Sequence, residues 1–285
     1  MRIFAVGATG VLGRELVPLL TSQGHEVTVM APDRLERLPD GVTPLRGDLL
    51  DPDLDLSSAL TGHDTVVNLA TSMPRSPTAP GAWETNSRVR TEGTRRLAEA
   101  VLRAGVTRVV QMSITMAFGD GGDTWLDEKT PFDPTPRREA IVGPVAELEA
   151  TITALPLGEV SWTVLRGARF VGPGTLQDTH MDQLARGELR LPGDGRAFLS
   201  MVHVADFADA VVASLGRPAA GRILNVAAEP VRAAEYYAAL AASVGAAPPV
   251  WDPSTPSEPP SQRVDSRAVR ALLGWRPRRG LLPAG

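Results

Sequence analysis

Ile3-Phe4-Ala5-Val6-Gly7-Ala8-Thr9-Gly10-Val11-Leu12-Gly13 decides the fold of this chain. Four apolar residues suited to a strand lead into three glycines, and an amphipathic run to about Gln23 follows, with Gly24 placed to end it. A strand, a glycine-rich turn and a helix in that order can cradle a phosphate, because backbone N–H groups and the helix dipole both point at the turn. The spacing is G-x-x-G-x-x-G rather than G-x-G-x-x-G, and an ordinary β-to-α turn also uses glycine. The strand before it and the helix after it predict a dinucleotide site at Gly7, Thr9, Gly10, Val11, Leu12 and Gly13.

Strand signals recur at 26–30, 42–45, 65–69, 107–112 and 162–165, alternating with helical stretches of which 82–103 and 138–154 are the longest. Pro144 is the expected weak point of the second. Strands that are apolar throughout, alternating with helices, imply an α/β fold with a doubly wound parallel sheet covered on both faces. The second half is less regular. It has strand-like pieces at 199–204 and 222–226, helices near 205–215 and 233–244, and six prolines within 246–262 that read as an irregular surface crossing. The expected division is a dinucleotide-binding part over 1–168 and a smaller C-terminal substrate subdomain over 169–285, with 222–226 returning to the main sheet.

Composition excludes several chemistries. The 285 residues contain no Cys, so disulfides, thiolate nucleophiles and Cys-based metal sites are ruled out. The net charge of −4 leaves no footprint for nucleic acid. No apolar run is long enough to span a bilayer, and glycines followed by Arg14-Glu15 break up the opening segment, so a cytoplasmic protein is expected. Asp120/Asp123 and Asp178/Asp182 do not cluster as metal ligands, and no metal is expected. Lys129 is the single lysine and the two tyrosines are adjacent, Tyr236-Tyr237, in a late helix where they read as packing. A mechanism that needs a Tyr and a Lys one helical turn apart is excluded by counting.

The acid that reads a ribose should end the second strand, about twenty residues past the glycines. Ala31 stands there, with Asp33 beyond Pro32. Arg34 and Arg14 suit a 2′-phosphate, or are simply solvated cations. NADP or NAD both remain, with a lean to NADP.

The chain resembles the extended short-chain dehydrogenase/reductase family, the NAD-dependent epimerase/dehydratase group, whose fold is the Rossmann fold. Beyond the glycines, the resemblance rests on Gly47-Asp48-Leu49, Asn68-Leu69-Ala70, Gly93-Thr94, Leu165-Arg166 with Gly172-Pro173-Gly174, Val202-His203-Val204-Ala205-Asp206, Asn225-Val226, Asp265-Ser266 and Leu273-Gly274-Trp275-Arg276-Pro277. It implies adenine contact at Asp48 and Leu49, passage of the cofactor by Leu69, Ala70 and Thr71, and a loop beside it at 73–81. It also implies a structural role for His203 and a position for Arg90 near the nicotinamide or the substrate. Homodimerisation through the two long helices is the family's habit.

The resemblance further implies a proton-donating Tyr four residues before a Lys, and a Ser/Thr after the fifth strand. Val142 and Ala146 occupy the first two positions, Ile114 the third, and Arg90 stands where the family has a helix Asn. Four side chains remain as catalytic candidates. Ser113 and Thr115 flank Ile114 and either hydrogen-bond a substrate oxygen or cap the strand. Arg169 either clamps an anionic substrate group or forms a surface ion pair. His180 either exchanges protons or is a surface residue. The expected function is an atypical NAD(P)-binding enzyme acting on a small molecule, a natural-product intermediate or modified sugar. Its reaction is carbonyl reduction or epimerisation, or a non-redox isomerisation, cyclisation or elimination. The alternative is a non-catalytic dinucleotide sensor.

Overall fold

The computed structural model describes residues 1–74, 79, 81–216, 219–257 and 260–283. Among them, seven strands form one parallel sheet: β1 (Arg2–Val6), β2 (Glu26–Ala31), β3 (Thr43–Arg46), β4 (Thr65–Asn68), β5 (Arg108–Ile114), β6 (Ser161–Gly167) and β7 (Arg222–Val226). Their spatial order is 3-2-1-4-5-6-7, so the chain reverses its direction of travel between β1 and β4. In such sheets the crevice outside the strands' C-terminal ends, at the reversal, is where ligands bind.

The sheet is buried on both faces because its strands alternate between two cores. Ile3 and Ala5 of β1 join one core with Leu12, Leu16 and Leu20 of helix α1 (Val11–Ser22). Phe4 and Val6 join the other, with Leu56 and Leu60 of α2 (Leu56–Leu60). The period of two along the strand and the i, i+4, i+8 stripe along α1 meet there.

The expected long helix at 82–103 is in three parts. These are α3 (Glu84–Arg88), a five-residue π turn (Val89–Gly93) and α4 (Thr94–Ala104). A π turn inserts one residue into the helical register and is common at functional sites. Helix α5 (Glu139–Thr153) runs through Pro144 unbroken. Pro144 removes only the bond to the carbonyl of Ala140, and Ala140 is exposed, so water can serve that carbonyl.

Past β6, helices α6 (Leu176–Ala185), α7 (Val204–Ser214), α8 (Ala233–Ser243) and α9 (Arg267–Leu273) follow. A separate core of Val171, Leu184, Leu189, Leu199, Met201, Tyr236 and Leu240 ties α6 to α8. Helix α7 returns to pack on α1, with Phe207 and Val211 in the first core. The 246–262 crossing is less irregular than expected, since Val250–Asp252 pairs in parallel with Arg190–Pro192. The C-terminal motif anchors on α7, where the indole of buried Trp275 donates to the Asp206 carbonyl at 2.8 Å. No helix of the described residues is long and apolar enough to cross a membrane.

Candidate cofactor and substrate site

The three glycines of the first turn have different jobs. Gly7 has φ +74, and a Cβ there would lie 2.7 Å from the Ala70 Cα. A Cβ on Gly13 would lie 1.9 Å from the Ala8 carbonyl oxygen. Both are glycine because the protein's own backbone fills the space. Gly10 differs: the nearest atom to its Cβ position is the Gly7 oxygen at 3.6 Å, so the space before it is open. Gly10 is also the N-cap of α1 and no side chain caps it, so the first-turn N–H groups face that space without a side-chain acceptor. The turn has the shape and donors of a phosphate cradle.

Around it, Leu69 donates its N–H to the Val6 carbonyl at 2.9 Å, and Ala70 donates to the Asn68 side chain at 3.1 Å. Asn68 in turn donates to Gln111 at 2.9 Å. This fixes the run Leu69-Ala70-Thr71 beside Gly7. At the other side, Asp48 is exposed, and one of its carboxylate oxygens accepts the Leu50 N–H at 2.9 Å. Leu49 is buried, and its carbonyl accepts from Arg96. Gly93 lets Leu49 close in, its Cβ position being 3.0 Å from the Leu49 Cβ. The expected loop at 73–81 has residues 75–78 and 80 outside the described residues.

Arg34 follows β2 in a left-handed conformation (φ 58), exposed, with its guanidinium 3.6 Å from Asp33. Arg46 is a cation that sequence reading missed. It pairs in register with Ala31, where the ribose acid would stand, and donates to the Pro32 carbonyl at 2.7 Å. Its signal was its place at the end of β3. Arg14 faces the second glycine loop, 2.4 Å from the Cβ position of Gly174.

Where the resemblance places a Tyr, Val142 is buried, and where it places a Lys, Ala146 is exposed. Val142 and Val145 of α5 are buried against Ala117, with Ile114 and Phe132 packed on them. The two hydroxyls flanking Ile114 separate. Ser113, 1% exposed, donates to Glu149 at 2.6 Å, and Glu149 is held by two bonds from Arg166 at 2.9 and 2.8 Å. The Ser113 hydroxyl thus faces α5 and is committed to a carboxylate, which favours a structural role over contact with a substrate oxygen. Thr115, also buried, begins the short turn after β5.

Arg90 lies on the π turn and is 7% exposed. Its Nε has no hydrogen-bond partner, and no ion pair involves Arg90 among the described residues. Burial brings its pKa down to about 10, which leaves it charged at neutral pH. An ion taken out of water without a partner costs several kcal/mol. One turn earlier, Asn86 accepts the N–H of Ser72 at 3.0 Å and so fastens the helix to the segment leaving β4.

Arg169 starts a short strand two residues past β6, pairing with Met201. It brings a positive charge to two half-buried groups, His180 on α6 and Tyr237 on α8. The Tyr237 hydroxyl and the His180 Nδ1 are 3.2 Å apart. Burial, and then the Arg169 charge, push the His180 pKa below its ordinary value. Burial, and then Tyr236, push the Tyr237 phenol up to about 12. Tyr237, expected only to pack, is thus joined to two candidates 57 and 68 positions away, a relation no local pattern carries. Gln177 holds the neighbouring Tyr236 hydroxyl at 2.8 Å and accepts the Gly172 N–H at 2.9 Å. His203 is structural in geometry: its Nδ1 accepts the Ala205 N–H at 3.2 Å and caps α7.

A cleft of about 710 Å³ opens between the loop after β5 and the start of α8, lined by Asp120, Asp123, Arg196, Arg232, Glu235 and Ser261. Asp123 is tied to Arg232 at 2.8 Å across it.

Comparison with known proteins matches this architecture. The sequence model of the NAD dependent epimerase/dehydratase family matches residues 3–227. A 3-diazoavenalumate denitrifying reductase from Streptomyces sp is 33% identical, covering 97% of this chain and 96% of the relative. A UDP-glucose 4-epimerase from Mycolicibacterium smegmatis is 29% identical, covering 97% and 94%. Among solved structures, MoeE5 in complex with UDP-glucuronic acid and NAD superposes with a TM-score of 0.82 at 26% identity, covering 99% of this chain and 95% of that one. The chain belongs to the NAD dependent epimerase/dehydratase family.

Proposed function

We propose that this chain is an NADPH-preferring reductase of a small natural-product intermediate whose electrophilic centre takes a hydride without needing a proton from the protein. The observation that carries this reading is the apolar face of α5. Val142, at the position of the family's proton donor, packs there with Val145 against Ala117. Reduction of a carbonyl consumes a proton as well as a hydride, and a positioned acid contributes roughly 10²–10⁴ in rate. Reduction of an aryl diazonium consumes none. The nicotinamide supplies the hydride, the aryl carbon–nitrogen bond breaks, and the products are the arene, dinitrogen and NADP⁺.

The 33% identical relative, named as a denitrifying reductase of a diazo carboxylate, supports that class. The open space before Gly10 takes the pyrophosphate, and Arg34 and Arg46 at the ends of β2 and β3 take the 2′-phosphate. Thr115, Arg169, His180 and Tyr237 surround the substrate. With His180 shifted towards its neutral form and the Tyr237 phenol raised, the last two act as hydrogen-bonding groups rather than charges.

The test is to mix the protein with NADPH and an aryl diazonium carboxylate and to follow NADPH and dinitrogen together. Equal amounts of NADPH lost and dinitrogen released support the reading. Turnover of a substrate with no net NADPH loss would assign the pocket to a non-redox reaction instead. The side-by-side packing of α4 and α5 makes them the proposed dimer surface, which sedimentation would test.

A further inference from the structure

We propose that Arg90 is the counter-cation for a carboxylate on the substrate, which makes the pocket selective for anionic substrates. The inference deepens the reductase reading and rests on it for the site's being a substrate pocket.

Three observations converge on Arg90. It is more than nine-tenths buried and charged, yet has no ion pair among the described residues, and its Nε has no acceptor. Buried Arg166 shows what this fold does with a guanidinium that serves structure: two bonds to Glu149. Arg90 has no such carboxylate. Second, it sits on the π turn, where the extra residue changes which side chains face inward. Thr94, one turn on, is fully buried and its hydroxyl is also unsatisfied, so two neighbouring donors on one helix lack acceptors.

Third, its place in the fold fits a ligand. One turn before it, Asn86 holds Ser72, two residues beyond the Ala70 that abuts Gly7. On its other side the π turn packs against α5, which carries Val142 and Val145. The π turn that carries Arg90 thus lies between the segment leaving β4, beside the dinucleotide turn, and the helix that bears the apolar wall. A planar guanidinium prefers a carboxylate held by two parallel bonds, and a carboxylate would complete Arg90 where the protein does not. An anionic oxygen there could instead belong to the dinucleotide, and the arms of the test separate the two sources.

The experiment uses the full chain with NADP⁺ present, titrated with 4-hydroxycinnamate and with its uncharged amide. The wild type is expected to bind the carboxylate at least about tenfold tighter than the amide. Equal binding of the two overturns the proposal whatever any variant does. Arg90→Met is expected to lose at least about tenfold for the carboxylate, leave the amide unchanged, and hold NADPH within about twofold. Arg90→Lys is expected to recover part of the loss. Without ligand, Arg90→Met is expected to be at least as resistant to urea as the wild type, because it removes an unpaired buried charge. A less stable Arg90→Met with unchanged carboxylate affinity makes Arg90 structural. Loss of NADPH affinity with the carboxylate unaffected gives Arg90 to the cofactor. Either overturns the proposal. If wild type reduces the diazonium but does not prefer the carboxylate, only the Arg90 inference fails. If it does not bind NADPH at all, the reductase reading fails first.

Discussion

The first turn and the face of α5 were built under different constraints. At the turn, Gly7 and Gly13 are fixed by the protein's own backbone, and only Gly10 leaves its space open. At α5 the reverse holds: Val142, Val145 and Ala117 close the space with apolar packing, and Arg90, buried on the π turn packed against that helix, has no ion pair among the described residues. The first region is a general holder whose form follows from backbone geometry. The second is where, on the proposed reading, this chain departs from a proton-transferring enzyme, with packing in place of a titratable group at Val142.

The largest expected effect separates the glycines. Gly13→Val puts a side chain into the Ala8 carbonyl and should cost about 3 kcal/mol or more of stability, together with dinucleotide binding. Gly10→Ala should change urea stability by less than about 1 kcal/mol while weakening NADPH at least about tenfold. If Gly10→Ala leaves NADPH affinity intact, the open space is not the cradle. Next comes Ser113→Ala, which removes a bond to a buried carboxylate and should cost about 2 kcal/mol in a urea titration. Turnover per folded molecule should fall less than twofold. A fall in kcat of a hundredfold without loss of stability would return Ser113 to the catalytic set.

A smaller effect concerns pH. The His180 pKa is lowered from 6.5 in the folded chain, so the unfolded chain takes up the proton first as pH falls. Stability contributed by neutral His180 is present above 6.5 and lost as pH drops from there towards the folded value. His180→Asn should flatten that part of the stability curve. An unchanged slope would mean that His180 is not held neutral by its surroundings. The smallest effect belongs to Arg34→Ala, expected to weaken NADPH about tenfold and NADH hardly at all, by fluorescence titration. Equal weakening of both would remove the 2′-phosphate reading.

What could be read in the sequence was what is local. β1, its turn and α1 were legible because strand, glycines and helix are contiguous. The parallel sheet followed from the alternation of apolar strands with helices. Helix α6 was missed although Thr175 caps it by accepting the Gln177 N–H at 3.3 Å and Asp178 reaches back to the Gly174 N–H at 2.7 Å. That S/T-x-x-D-like start was present, but the helix has little apolar periodicity to advertise it. The two readings of Ser113 stayed open in the sequence because strand residues alternate faces, and which face meets α5 is settled only by packing. Arg90's missing partner among the described residues and the approach of Tyr237 to His180 are tertiary facts: the π turn and a separation of 57 positions hide them from any window.

The most direct test of the central claim is a ratio. With NADPH saturating, kcat/KM is measured for an aryl diazonium carboxylate and for the matching aryl methyl ketone carboxylate. The apolar α5 face predicts that the diazonium is favoured by at least about a hundredfold, the lower end of what a missing general acid costs a carbonyl reduction. A ketone reduced as fast as the diazonium would contradict it and require a proton donor elsewhere in the pocket.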